Sequence, residues 1–157
     1  MVVLDPRALK VTSRWPLAPC EDPSGMAIDQ QYRRLFVGCG NQLMAVVNAD
    51  TGKVVTTLPI GEGVDANAFD PGTQLAFSSN GEGTLTVVHE DSPDQYTVLG
   101  TLETVSGART MALDRRTHRI FSVTAELGPR PQPTTENPHP RLSIVPGTFQ
   151  LLVLSKD

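Results

Sequence analysis

A chain of 157 residues has the length of one ordinary domain. Its 39% hydrophobic and 19% charged residues exclude intrinsic disorder, and no window approaches the roughly 18 uninterrupted apolar residues of a transmembrane helix. Thirteen Lys and Arg against seventeen Asp and Glu leave a formal charge of −4, which argues against a phosphate-neutralising surface and so against nucleic acid as a partner.

Thirteen Gly and thirteen Pro punctuate the chain too often for a helical protein. The elements it predicts are short strands, and they recur. Ala27-Ile28-Asp29, Ala68-Phe69-Asp70 and Ala112-Leu113-Asp114 share one pattern, with aspartates 41 and 44 residues apart. A second apolar run follows each: Leu35-Phe36-Val37, Leu75-Ala76-Phe77 and Ile120-Phe121-Ser122-Val123. A third follows as Met44-Ala45-Val46-Val47, Leu85-Thr86-Val87-Val88 and Leu151-Leu152-Val153-Leu154. Lys53 to Leu58 and Tyr96 to Leu99 make a fourth. The runs are rich in β-branched residues, bounded by Gly, Asn, Asp and Pro, and no stretch keeps a helical period.

Four short antiparallel strands repeating every 40–45 residues or so describe a propeller blade, which needs a neighbour on each side to bury both faces of its sheet. The turns fit, with Asn48 to Lys53 and Asp70-Pro71-Gly72-Thr73 offering residues that accept tight backbone angles. Aligning Val3–Val11 with Val46–Val54 sets the phase. Residues 1–17 become the last two strands of a blade, 23–62 and 66–105 complete blades, and 109–157 three strands of a final blade. That final blade carries a Pro-rich insertion over 128–147, with six of the thirteen prolines, which is either a partner-docking or ring-capping loop or a disordered surface insertion. The fold class expected is therefore all-β, a partial β-propeller of about three blades.

Pro23-Ser24-Gly25-Met26-Ala27-Ile28-Asp29, Arg34-Leu35-Phe36-Val37 and Val46-Val47-Asn48-Ala49-Asp50-Thr51-Gly52-Lys53-Val54-Val55 together resemble the YVTN-repeat β-propellers, the YncE-like proteins. The resemblance covers essentially the whole chain and is specific for fold rather than activity. It implies a seven-bladed ring, of which this chain would be the C-terminal half, and a periplasmic or extracellular location. The N-terminus itself meets Asp5 and Pro6 after only three apolar residues, too few for a secretory signal. Either the chain is cytoplasmic or a signal lies outside this sequence.

Strand alternation sorts the connections into two faces. Segments 18–24, 59–66 and 103–110 share one face with 38–43, 78–84 and 124–148, and the tighter turns take the other. Loops carry function more often than strands. On the first face lie Glu21, Asp22, Asn41, Glu62, Asp65, Asn80, Glu82, Arg109 and Glu126. One reading makes them a polar ring at the channel mouth, able to hold a cation or a small polar ligand, with Asp65 and Arg109 pairing across blades. The other makes them solvated loop residues. Asp29, Asp70 and Asp114 sit one per blade at the start of a turn on the opposite face, where a carboxylate accepts from the turn's own N–H groups.

Cys20 and Cys39 fall at the same end of neighbouring strands, about 4.8 Å apart laterally, within reach of a disulfide. An oxidising compartment would close it, a reducing one would leave two buried thiols, and a slip in register would leave two unrelated cysteines. His89, His118 and His139 match no metal spacing, and Gly38-Cys39-Gly40 and Gly61-Glu62-Gly63 open no helix, so no metal, cofactor or catalytic residue is expected. The single Trp15 reads as a packing residue at a strand end. Two functions remain. The first is a non-catalytic propeller scaffold presenting loops to a protein or small ligand. The alternative is half of a propeller enzyme of lyase, lactonase or dehydrogenase type, with its active site at the channel mouth. The partners implied are the missing N-terminal half of the ring or a second copy of the chain.

Overall fold

The computed structural model describes residues 1–140 and 142–155. The expected end of the last blade at 157, and Arg141 within the insertion, fall outside the described residues. Thirteen strands follow one another: β1 (Val2–Asp5), β2 (Lys10–Arg14), β3 (Pro23–Asp29), β4 (Arg34–Cys39), β5 (Leu43–Asn48), β6 (Val54–Pro59), β7 (Val64–Asp70), β8 (Leu75–Asn80), β9 (Thr84–Ser92), β10 (Gln95–Glu103), β11 (Thr110–Asp114), β12 (Arg119–Thr124) and β13 (Gln150–Leu154). They pair as a two-stranded ribbon, two four-stranded sheets and a three-stranded sheet, every sheet in chain order and antiparallel. The β3–β6, β7–β10 and β11–β13 sheets are called blades one, two and three below. β7 opens at Val64, two residues ahead of the start expected for that blade, because Val64 pairs with Asn80 before a bulge at Ala66.

Side chains alternate across each strand, so each sheet is apolar on both faces and the cores lie between sheets. In β4 and β5, Phe36, Met44 and Val46 point toward blade two, where Phe69, Ala76 and Val88 meet them. Leu35, Val37, Ala45 and Val47 point the other way, under Leu17, Trp15 and Met1. A third core joins Phe77 and Leu85 of blade two to Ile120, Met111, Leu113 and Leu154 of blade three.

The innermost strands set how closely blades approach. A Cβ on Gly25 of β3 would lie 2.7 Å from the Asn67 nitrogen and the Asp65 oxygen of β7, so only glycine allows these backbones to touch. Farther out, Gly52, at φ 73°, lies under the Trp15 ring, and Trp15 is the packing residue that ties the β1–β2 ribbon to blade one. This is a partial β-propeller, an arc of blades around an inner wall.

Candidate functional site

The turn aspartates serve their own turns. Asp29 accepts from the Gln31 and Tyr32 amides at 3.0 and 2.7 Å. Asp70 accepts from the Gly72 amide and the Thr73 hydroxyl, and Asp114 from the Arg116 amide and the Thr117 hydroxyl. These bonds hold Asp114 below the usual carboxylate range, the Thr117 hydroxyl contributing most. One further residue in each turn, Arg33, Gln74 and His118, takes the left-handed backbone conformation (φ 56–57°) before the next strand.

The polar residues of the opposite face do not converge. Cys20 and Cys39 are joined, their Cα atoms 5.3 Å apart. Asn41 braces that bridge, its Oδ1 accepting from the Glu21 amide at 3.2 Å and its Nδ2 donating to the Pro19 carbonyl at 2.8 Å. The Gly40 amide donates to the Glu21 and Asp22 carbonyls. Glu21, Asp22 and Asn41 thus belong to a clamp around the disulfide. Asn80 is fully buried and linked to Ser78, Thr84 and Thr86, while Glu82 accepts from Thr84 at 2.8 Å. A Cβ on Gly61 would strike this network, so the chain entering blade two is pressed against it.

The remaining candidates are also spoken for or stand alone. Glu62 offers its carbonyl to the Glu82 amide, and Glu126 uses its backbone on Thr148 and Val145. Asp65 does bridge blades, but its partner is the Thr110 hydroxyl at 3.1 Å and not the neighbouring Arg109. The Thr110 hydroxyl lies one residue beyond Arg109, and Arg109 instead offers its carbonyl to the Ser79 hydroxyl and lays its side chain near Gly81. Among the described residues no three His, Cys, Asp or Glu side chains gather as metal ligands.

Two features off that face carry more chemistry. The first is a cleft of about 490 Å³ between blades two and three. Leu75, Phe77, Leu85, Val87, Leu99 and Leu102 form one wall and Ile120 and Leu154 the other. At its turn end stands a His–Asp contact across the junction, His118 Nδ1 to Asp70 Oδ2 at 2.7 Å. Along it runs the outer edge of β13, which among the described residues pairs with β12 alone. The signal for this cleft was the third repeat's lack of a fourth apolar run beside Leu99.

The second feature is a buried acid at the junction of blades one and two. Glu90 is fully buried, and its Oε2 accepts no hydrogen bond from a donor among the described residues. Burial first, and the Asp29 carboxylate second, push its carboxyl up to about 7. Tyr96, whose hydroxyl reaches Glu90 Oε1 at 3.3 Å and the Pro93 carbonyl at 2.6 Å, is raised by burial and then by Glu90. No sequence signal marks it, since Glu90 stands between His89 and Asp91 at the end of a strand and reads as one more solvated charge.

No protein-family model and no curated protein matches the chain. Solved structures do resemble it. Kuenenia stuttgartiensis hydrazine synthase is similar over 82% of this chain and 36% of its own, with 14% identity and a TM-score of 0.69. The β-propeller domain of Myceliophteria thermophila Cps50 (Swd1) is similar over 79% of this chain and 42% of its own, with 12% identity and a TM-score of 0.59. Saccharomyces cerevisiae Sqt1 is similar over 85% and 38%, with 10% identity and a TM-score of 0.60. At such identities the likeness is one of fold, and the chain spans about two fifths of each neighbour's length. Among the described residues no helix is long and apolar enough to cross a membrane.

Proposed function

We propose that this chain is an arc of a larger β-propeller that works as a non-catalytic binding scaffold, and that its open junction takes an extended strand from further blades of the same ring. The observation that carries this is internal. In blade two, β10 lies outside β9 and sends Tyr96 and Val98 into the core shared with blade one. In blade three the equivalent place beside β13 is empty of chain among the described residues, and the apolar cleft lies there. An added strand would pair with β13 and lay alternate apolar side chains against Leu99, Leu102 and Val87, as β-augmentation does elsewhere.

The forward face of blade three supports the same reading, since Leu151 and Val153 are more than half exposed where a next blade would pack. The polar residues of the loop face are tied into the scaffold and converge on no common point, which favours binding over general acid–base catalysis. The repeat motifs favour a ring of the YVTN-repeat, YncE-like kind. The Cys20–Cys39 bridge favours an oxidising compartment, periplasmic or extracellular.

A hairpin extension tests the reading. The chain as it stands should self-associate in sedimentation, with fast amide exchange over 150–154. A version carrying a copy of the β10 sequence, 95–103, after residue 157 should protect those amides and reduce the association. A stable monomer of the original chain, or no added protection in the extended one, overturns the proposal. Association through paired β13 edges, protecting 150–154 in the original chain, would instead make a second copy the occupant.

A further inference from the structure

Repetition separates what a blade needs from what this chain adds. Glu90 in blade two occupies the place of Ala49 in blade one. Both amides donate at 2.9 Å to the carbonyl of the left-handed residue of their own blade, Glu90 to Gln74 and Ala49 to Arg33. The backbone position is therefore served by alanine, and a carboxyl group there is not a requirement of the fold. It is nonetheless fully buried, and it faces blade one. An ionised carboxylate in such a place needs a cation or several donors.

Each charged or titratable neighbour also has partners of its own. From β3 comes Asp29, itself 3% exposed, whose oxygens accept from the Gln31 and Tyr32 amides and whose carboxyl group, beside Glu90, pushes that acid up. From β4 comes Arg34, a cation whose charge favours the ionised form of Glu90. Its Nε donates to the Pro93 carbonyl, its Nη1 to the Tyr32 and Arg33 carbonyls, and its Nη2 to Asp94 Oδ1, leaving Glu90 without a donor from it. Within β9, His89 and Asp91 pair with each other at 2.7 Å, and Asp91 also accepts from Thr97. From β10 comes Tyr96, with one proton and two acceptors in reach. The Pro93 carbonyl at 2.6 Å has the better claim on it, so the 3.3 Å contact with Glu90 Oε1 is best satisfied when the carboxyl carries its own proton.

We propose that Glu90 and Asp29 form a pH-sensitive clamp between blades one and two, closed while Glu90 carries a proton beside Asp29 and loosened when that proton leaves. Ionisation places a second carboxylate beside that of Asp29 in a buried place, where the Arg34 guanidinium attracts it but spends its own hydrogen bonds on other acceptors. It also places a charge against Tyr96, whose ring packs edge-on to Phe36 with centroids 6.0 Å apart, so the strain reaches the aromatic core of that junction. The sign follows from the direction of the shift. Glu90 ionises near 4.5 in the unfolded chain and near 7 in the fold. Its contribution to stability is whole below the lower value, falls as pH rises toward the upper one, and is flat beyond.

The test compares the full chain with Glu90→Gln and with Glu90→Ala, which restores the residue of blade one. Between pH 5 and 8.5 the unfolding equilibrium constant of the wild type should rise on the order of a hundredfold relative to Glu90→Gln. The comparison with the variant removes the part due to the three histidines. Glu90→Ala should lose the same pH dependence whatever its absolute stability. Infrared spectra should show a protonated-carboxyl band at pH 6 that fades by pH 9 and is missing in Glu90→Gln. Parallel pH profiles in wild type and Glu90→Gln, or no such band at pH 6, overturn the proposal.

Discussion

The two blade junctions of this chain are made by the same repeat and end differently. At the first, Phe36 stacks on Phe69 with centroids 5.1 Å apart, Tyr96 closes the edge, and Phe36, Met44, Val46 and Val88 are wholly excluded from water. At the second, Phe77, Leu85 and Ile120 are buried, but Leu99 and Leu102 stay more than half exposed over the open cleft. The inner strands meet at both. What differs is the outermost strand of the blade that follows: β10 covers the first junction, and nothing among the described residues covers the second. A core in this architecture belongs to the junction rather than to the blade, and each junction is as good as the last strand laid over it.

The largest effect expected comes from breaking the closed junction. Phe36→Ala should cost about 3–5 kcal/mol in chemical denaturation, because the cavity it leaves is enclosed on every side. Phe77→Ala, at the equivalent position facing the open junction, should cost about 2 kcal/mol, since water already reaches that space. Equal costs at the two sites would mean the cleft is filled in solution. The hairpin extension sharpens the comparison, because covering β13 should raise the Phe77→Ala cost toward that of Phe36→Ala.

Next in size is the staple behind blade one. Replacing Cys20 and Cys39 by serine, or adding reductant, should remove about 3 kcal/mol through the freed loop between them. The loss should add to that of Phe77→Ala within roughly 0.5 kcal/mol, because the two sites lie in different junctions and share no partner. A strongly non-additive result would show that the junctions loosen together.

How much of this was readable beforehand follows from what kind of contact each feature is. The Ala-apolar-Asp repeat marks β3, β7 and β11, since a strand that meets a neighbour on both faces needs small and apolar residues in period two, and the turn after it needs an acceptor. The aspartates of the turns act locally and so were readable as turn formers. The roles of Glu21, Asp22 and Asn41 were not, because they depend on how the loop from 18 to 22 folds over the disulfide, and Asp65 finds Thr110 only once two inner strands are placed side by side. Glu90 was invisible for a related reason. Its neighbours Asp29, Arg34 and Tyr96 come from three different strands, and only the comparison with Ala49 marks it as an addition.

The smallest effect expected concerns the one His–Asp contact, among the described residues, that spans the open junction. His118 is 45% exposed and Asp70 1%, so the two partners should respond unequally. Asp70→Ala removes the acceptor for the Gly72 amide and the Thr73 hydroxyl as well as for His118, and should cost about 1–3 kcal/mol. His118→Ala leaves those bonds in place and gives up only a half-solvated contact, worth about 0.5 kcal/mol. A double-mutant cycle isolates the pair itself. If the extension that supplies a fourth strand also shields this end of the cleft from water, the coupling between His118 and Asp70 should grow in the extended chain, since a drier contact is screened less. Coupling that stays unchanged there would place the added strand away from the turn end and confine its packing to Leu99, Leu102 and Leu154.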